Sequence, residues 1–223
     1  MKASALKGIV FDLDGTLVDS APDIAWAINR MLAGHGLPPQ PVRTIERLTG
    51  EGAQALVAKL YASLGIDVDA SRVAHDTALY LEQYGTRPCA DSTLFADAAT
   101  ALPALRRAGI RLAVCTNKPE TLAVLVLRAF GLLDGMDGVV GADTTSERKP
   151  HPLPLLHTLR AIGVSPADAV YVGDTVIDRD CAAAAGVACR IVDWSVAPWT
   201  GVPSTRRLAR FADLLPAASD PAG

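Results

Sequence analysis

Two aspartates, Asp12 and Asp14, follow directly on an apolar run in the stretch GIVFDLDGT, residues 8–16. Carboxylates at the end of a buried run are costly to desolvate unless a cation or a hydrogen-bond donor meets them. In extended backbone, residues two apart share a side, so Asp12 and Asp14 point one way and Leu13 the other. Neighbouring carboxylates repel, and a shared cation removes the repulsion. Three uses fit the pair: a metal site, a nucleophile with a neighbouring acid, or both. Gly15 permits a tight turn, and Thr16 is placed to donate to a ligand oxygen or to cap that turn. A calcium-binding helix–loop–helix segment would need Gly at its sixth position and Glu at its twelfth. Here Gly15 falls fourth and Asp23 twelfth, so that use is excluded.

A second pair of acids lies in VGDTVIDRD, where Asp174 and Asp178 are four apart. On the first turn of a helix they would share a face near its positive end, which favours acids. Capping is the plainer use of either residue alone, and Asp180 fits capping better than the other two. Taken with Asp12 and Asp14, this oxygen-rich set without His or Cys companions suits Mg²⁺. An acidic cluster needs positive charge if it is to receive an anion. Lys149, in SERKPHP, precedes a proline and is biased towards extended backbone; simple solvent exposure is the alternative, and Arg148 is its decoy. In CTNKP, Thr116 and Asn117 stand before a helix start at Pro119. Main-chain N–H groups there either bind phosphate or are capped locally. His151 reads as a turn residue, His157 as a helix-face residue and Trp26 as packing.

These residues must be positioned by something, and the chain supplies short Val- and Ile-rich runs at 8–14, 110–117, 138–143 and 169–174, with a weaker one at 188–194. They are apolar throughout and too short for independent helices, which predicts strands buried on both faces. Helical patterns fill the intervals at 96–109, 119–131, 152–163 and 178–186. Alternation of this kind predicts an α/β fold with a parallel sheet. The strands finish in Asp12 and Asp14, Thr116 and Asn117, Asp143, and Asp174; ligands bind outside the carboxyl ends of such strands. One interval breaks the rhythm. Residues 18–87 read as helical with no strand run, which predicts a helical cap inserted into a core made of 1–17 and 88–223. Its two connections, DSAP and GTRPCADS, carry Pro and small polar residues suited to a hinge. The final PAASDPAG reads as a frayed tail.

The bulk properties agree. The 223 residues are 50% hydrophobic and 20% charged, as expected of a globular protein with a sizeable core. A net charge of -3 without a Lys/Arg block argues against nucleic acid as a partner. No apolar run suggests a signal peptide or membrane span. The four cysteines form no CxxC pair and are read as reduced, which makes a cytoplasmic location the expectation.

Four stretches, DLDGT (12–16), CTNK (115–118), RKP (148–150) and GDTVID (173–178), together resemble the ordered motifs of the haloacid dehalogenase superfamily. The resemblance covers about 6–16 and 88–192. The inserted helices match the helical-cap subgroup, and DLDGTLVDSAPD with TNKP is similar to its phosphoglycolate phosphatases. It implies a Rossmann-like core and a phosphatase acting through an aspartyl-phosphate on a small phosphorylated metabolite. Asp12 would be the nucleophile and Asp14 the acid and base. Thr116 and Lys149 would hold the transferring phosphoryl group. Asp174, the Asp12 carboxylate and the Asp14 main-chain carbonyl would bind Mg²⁺, with Asp178 supporting the metal or positioning Lys149. Dehalogenases of the superfamily lack the second acid, so Asp14 favours phosphotransfer. Thr16 and Asn117 are expected at the substrate.

Gly50, Gly52 and Ala55 fit G-x-G-x-x-A, but a dinucleotide site needs a preceding strand, and this stretch lies within the helical insert. The resemblance instead implies that this cap loop reads the substrate through Glu51 and Gly52; starting the helix is the equal alternative for Glu51. Trp194 and Trp199 depart from the turn expected after the last core strand. The favoured substrate is 2-phosphoglycolate. Other small phosphates, including sugar phosphates, a phosphosugar mutase, and a catalytically silent binding protein are the alternatives.

Overall fold

A computed structural model of the chain describes residues 6–95, 97–194, 196 and 203–216. Strand β1 (Gly8–Phe11) leads through the Asp12–Thr16 turn into β2 (Val18–Asp19) and then four helices: α1 (Ala21–Gly34), α2 (Val42–Glu46), α3 (Ala53–Ser63) and α4 (Ala70–Thr86). β3 (Thr93–Leu94) returns antiparallel beside β2, with Val18 opposite Leu94. After it come α5 (Ala98–Arg107), β4 (Arg111–Cys115), α6 (Glu120–Ala129), β5 (Gly138–Val140), α7 (Leu153–Ala161), β6 (Ala169–Gly173), α8 (Val176–Ala184), β7 (Ala188–Val192) and β8 (Arg207–Leu208).

Six strands form one parallel sheet in the order β5-β4-β1-β6-β7-β8. β1 is buried at every position because neighbours flank it in the sheet and helices cover both faces. On one face Ile9 and Phe11 join the larger core; on the other Val10 packs with Ala113, Leu155 and Tyr171. Burying each large apolar side chain contributes about 1.5–3 kcal/mol, which makes β1 the best-anchored strand to carry a site. Phe11 pairs level with Val114 and with Val172, so the carboxyl ends of β1, β4 and β6 reach the same height. The chain leaves β1 for β4 on one side and later enters β6 on the other. That reversal opens a crevice above the strand ends.

Two local expectations change. The first turn of α8 is set by Thr175, whose hydroxyl and N–H both donate to Asp178, so the helix starts at Val176 and not at 178. Asp174 therefore lies in the turn after β6, not on the helix beside Asp178. The ribbon of β2 and β3 also lies partly in a stretch read as free of strands. Two residues are too short for a periodicity to register.

The helical unit is held by a buried carboxylate. Asp76 on α4 accepts from Tyr61 Oη at 2.6 Å and Arg72 Nε at 2.5 Å, and pairs with His35 Nε2 at 2.8 Å, linking α1, α3 and α4. Burial alone would raise this carboxyl, but bonds from Tyr61, Arg72 and His35 hold it below its ordinary value. A depressed carboxylate contributes stability that is complete above the unfolded value near ~3.9 and is lost as pH falls through the folded one. Asp76→Asn is therefore expected to destabilise the protein at pH 7 and to differ progressively less from wild type below about pH 4. Denaturant titrations across pH test this; a gap that widens towards acid would refute it. A second buried acid, Asp23, accepts from Asp91 N–H, Ser92 N–H and Ser92 Oγ, and ties the start of α1 to the returning connection. Trp26 lies under the Arg87 guanidinium, 4.6 Å from ring centre to Cζ.

Among the described residues no helix is long and apolar enough to cross a membrane, and the four cysteines are free. The frayed tail at 216–223 lies, but for Pro216, outside the described residues, as does Trp199.

Candidate active site

Asp12 occupies the first position after β1, where the strand is fixed on both sides. Its Oδ1 accepts from Leu13 N–H at 2.7 Å and lies 3.0 Å from Lys149 Nζ. Asp174 follows β6, and Asp178 projects from α8 towards both. Oxygens of Asp12, Asp174 and Asp178, all buried, lie within 4.8 Å of one another. Lys149, from the loop between β5 and α7, bonds Asp178 Oδ1 at 2.7 Å and Tyr171 Oη at 2.8 Å. Tyr171 in turn touches the Cys115 carbonyl at 2.9 Å, anchoring the ammonium over the sheet.

The electrostatics follow from burial and proximity. Burial pushes Asp12 up to about 6, with Asp178 adding to the rise and Lys149 opposing it. Asp174 is pushed well above the carboxylate range, first by burial and then by Asp178 and Asp12. Burial would raise Asp178 as well, but Lys149 and Thr175 hold it below its ordinary value. Burial would lower Lys149, yet Asp12 and Asp178 outweigh that and keep it firmly protonated.

Three buried carboxyls facing one another are ionised together only with more positive charge than the Lys149 contact brings. An all-oxygen donor set of this kind fits a hard divalent cation such as Mg²⁺. Gly15 supports the fit: with φ +82° it turns its bare Cα against Asp174, and a Cβ there would come within 2.5 Å of Oδ2. Thr16 Oγ1 donates to Asp174 Oδ1 at 3.1 Å, so its hydroxyl, expected at the substrate, orients one of the three clustered acids.

Asp14 does not join that trio with its side chain. Its carboxylate receives Ser20 Oγ at 2.5 Å and Lys118 Nζ at 3.0 and 3.1 Å. A small cavity of about 40 Å³ is lined by Asp12, Asp14, Thr116, Asn117, Lys118 and Tyr80 among others, so both aspartates of the opening motif face one cleft. Thr116 Oγ1 accepts from Lys118 N–H at 3.2 Å. Asn117 is a clamp: its Oδ1 accepts from Lys149 N–H, and its Nδ2 donates to the carbonyls of Lys149 and Gly50, each at 3.0 Å. It thereby fastens the lysine loop to the cap loop, and it also lines the cleft beside Asp12, Asp14 and Thr116. Gly52, at φ +92°, borders the cleft and leaves only 3.4 Å between a would-be Cβ and the Asn117 carbonyl.

Glu51 is not brought to the acids. It is half-exposed, ion-paired with Lys59 at 2.5 Å, and borders an outer groove beside Arg148 and His151. A glutamate beside two glycines has no hydrophobic anchor to turn it inward, and Lys59 on α3 captures it. Asp143 accepts from Glu120 N–H at 2.8 Å and caps α6. Asp180 pairs with its neighbour Arg179. Trp194 stacks on Phe95 and packs edge-on to Phe211, with ring centres 5.2 and 5.1 Å apart. It walls a second cavity of about 460 Å³ that also borders Asp14 and Asp174. The residue that motif reading left without a role is Lys118. Its signal was present in the sequence, a second lysine directly after the Thr116–Asn117 strand end.

Comparison with known proteins shows the family. The family model described as a hydrolase, haloacid dehalogenase-like hydrolase, matches residues 6–186. The chain is 40% identical over 211 residues to a phosphoglycolate phosphatase of Rhodospirillum rubrum, covering 93% of this chain and 87% of that one. It is 39% identical over 186 residues to one of Xylella fastidiosa, covering 83% and 80%. A crystal structure of a predicted phosphoglycolate phosphatase from Haemophilus somnus superposes with a TM-score of 0.84 at 30% identity, covering 93% of this chain and 96% of that one.

Proposed function

The chain belongs to the haloacid dehalogenase-like hydrolases and is a phosphatase, and we propose that it hydrolyses 2-phosphoglycolate in the cytoplasm through an aspartyl-phosphate on Asp12, with Mg²⁺ bound. Asp12 and Asp174 would hold the ion with the Asp14 main-chain carbonyl, and Asp178 would support it. The bound ion would neutralise charge on the phosphoryl oxygens.

In the first step the Asp12 carboxylate attacks phosphorus, and the bond to the glycolate oxygen breaks. Asp14 delivers a proton to that oxygen as it leaves. In the second step Asp14 takes a proton from water, whose oxygen attacks phosphorus and frees Asp12 and inorganic phosphate. Lys149 and Thr116 hold the phosphoryl oxygens in line, which is most of what phosphoryl transfer needs from a protein. Residues 18–87 act as the cap. Thr49 and Gly50 of the cap line both cavities that border Asp14, so closure of the cap over the bound ester would exclude competing water.

The observation that carries this reading is the Asp12–Lys149–Asp178 chain of contacts beside Asp174, at the ends of adjacent strands. Phosphate release from a panel of phosphorylated metabolites tests it. The expected result is fastest turnover of 2-phosphoglycolate, abolished by EDTA and restored by Mg²⁺. Turnover indifferent to chelation would remove the metal from the reading. A sugar phosphate favoured over phosphoglycolate, or converted to its isomer without phosphate release, would replace the substrate.

A further inference from the structure

Lys118 is a buried cation at the cleft with, among the described residues, one acidic side chain, Asp14, in ion-pair contact. Its side chain is 5% exposed, its Nζ reaches both oxygens of Asp14, and it lies 4.1 Å from the centre of the Tyr84 ring on α4. Lys149, the other buried lysine near Asp12, is committed to Asp12, Asp178 and Tyr171. Resting on the reading of the substrate as 2-phosphoglycolate, we propose that Lys118 is the specificity-determining residue that binds the substrate's carboxylate, exchanging Asp14 for it.

The substrate's own geometry makes the exchange compact. In 2-phosphoglycolate one methylene separates the ester oxygen from the carboxyl carbon. Asp14 must reach that ester oxygen to protonate it, so the cation already touching Asp14 is the one within reach of the carboxylate. A carboxylate entering a dry cleft needs a charge partner to offset its lost hydration. Lys118 is desolvated in advance and its position is fixed by the Tyr84 ring, so little further ordering is needed on binding. Its ammonium has three donors, which allows it to take up the substrate before leaving Asp14 entirely. Once the donors have moved, the Asp14 carboxylate is free to turn to the ester oxygen. A phosphate ester without a carboxylate leaves Lys118 on Asp14, and the acid stays engaged. Substrate recognition and release of the general acid thereby become one event.

The test compares 2-phosphoglycolate with 2-hydroxyethyl phosphate, which replaces the carboxylate by a neutral group of similar size. Lys118→Met keeps an apolar stem against Tyr84 while removing the charge, and Lys118→Arg keeps the charge. In the Met variant kcat/KM for phosphoglycolate is expected to fall by about 100-fold or more, with a loss on the neutral ester at least about tenfold smaller. The Arg variant is expected to recover part of the preference. If the Met variant does not fold, Lys118→Gln serves for the same comparison. Equal losses on both esters, or an intact preference, would overturn the role and leave the substrate reading standing. A wild-type enzyme without preference for the carboxylate-bearing ester would overturn the substrate reading, and this role with it.

Discussion

Asp12→Asn is expected to lower kcat by about 10⁴-fold or more while leaving the fold intact. An amide nitrogen or oxygen does not form the acyl phosphate, and the neutral side chain is a poorer ligand for a divalent cation. The fold survives because β1 is anchored by Ile9, Val10 and Phe11, all fully buried, and because Lys149 keeps its bond to Asp178. Burial already pushes the Asp12 carboxyl up to about 6, so the metal-free protein gives up little by losing that charge. Thermal unfolding with and without Mg²⁺ supplies the second readout: the stabilisation that Mg²⁺ gives to wild type should shrink in the variant. A variant that retains turnover within tenfold of wild type would remove Asp12 from the role of nucleophile.

Lys149→Met is expected to damage stability and chemistry together. The substitution leaves Asp12 and Asp178 facing each other in a buried site without the ammonium that lies 3.0 and 2.7 Å from them. Removing one partner of a buried ion pair costs about 3–5 kcal/mol. In a chain of this size that lowers the melting temperature by roughly 10 °C. Loss of a charged donor to the phosphoryl group should also lower kcat by about 10³-fold. The pH dependence has a definite sign. An acid raised in the folded state binds protons more tightly folded than unfolded, so its penalty grows as pH rises through the unfolded value. The deficit of the Met variant should therefore be largest near pH 8 and narrow towards pH 5, where Asp12 takes up its proton. Full stability in the variant at pH 8 without metal would show that Lys149 does not balance these acids.

Much of this architecture was legible in the sequence because its signals are local. The five apolar runs needed only composition and length to be read as strands, and each of them forms one, at 8–11, 111–115, 138–140, 169–173 and 188–192. The glycine and proline punctuation placed four core helices within a few residues of their ends. β8, with only Arg207 and Leu208, was not legible, since a two-residue strand exists only through its pairing with Ile191 and Val192. Among site residues, Asp12, Asp14, Thr116 and Lys149 stood out by type and position; in the structure Asp12, Asp14 and Thr116 line one cleft, and Lys149 reaches Asp12 from beside it. Glu51 was singled out for the loop it occupies, but the direction of a side chain in a loop is set by its neighbours, here Lys59.

The sequence by itself determined that acids and a hydroxyl must meet at one edge of a parallel sheet, because strand runs that end in Asp or Thr leave those groups at their carboxyl ends whatever the order of strands. It could not determine which groups touch. Tertiary structure decided that β4 and β6 flank β1 on opposite sides, so that Asp12, Thr116 and Asp174 converge from residues more than 50 positions apart in sequence. It decided that Asp178 faces Lys149, that Thr16 serves Asp174, and that Asn117 fastens two loops. It also set Lys118 against Asp14. These pairings are contacts of 2.7–3.1 Å between residues distant in the chain. Their partners are selected by burial and charge balance in the assembled crevice, where an unpaired ion is too costly to keep.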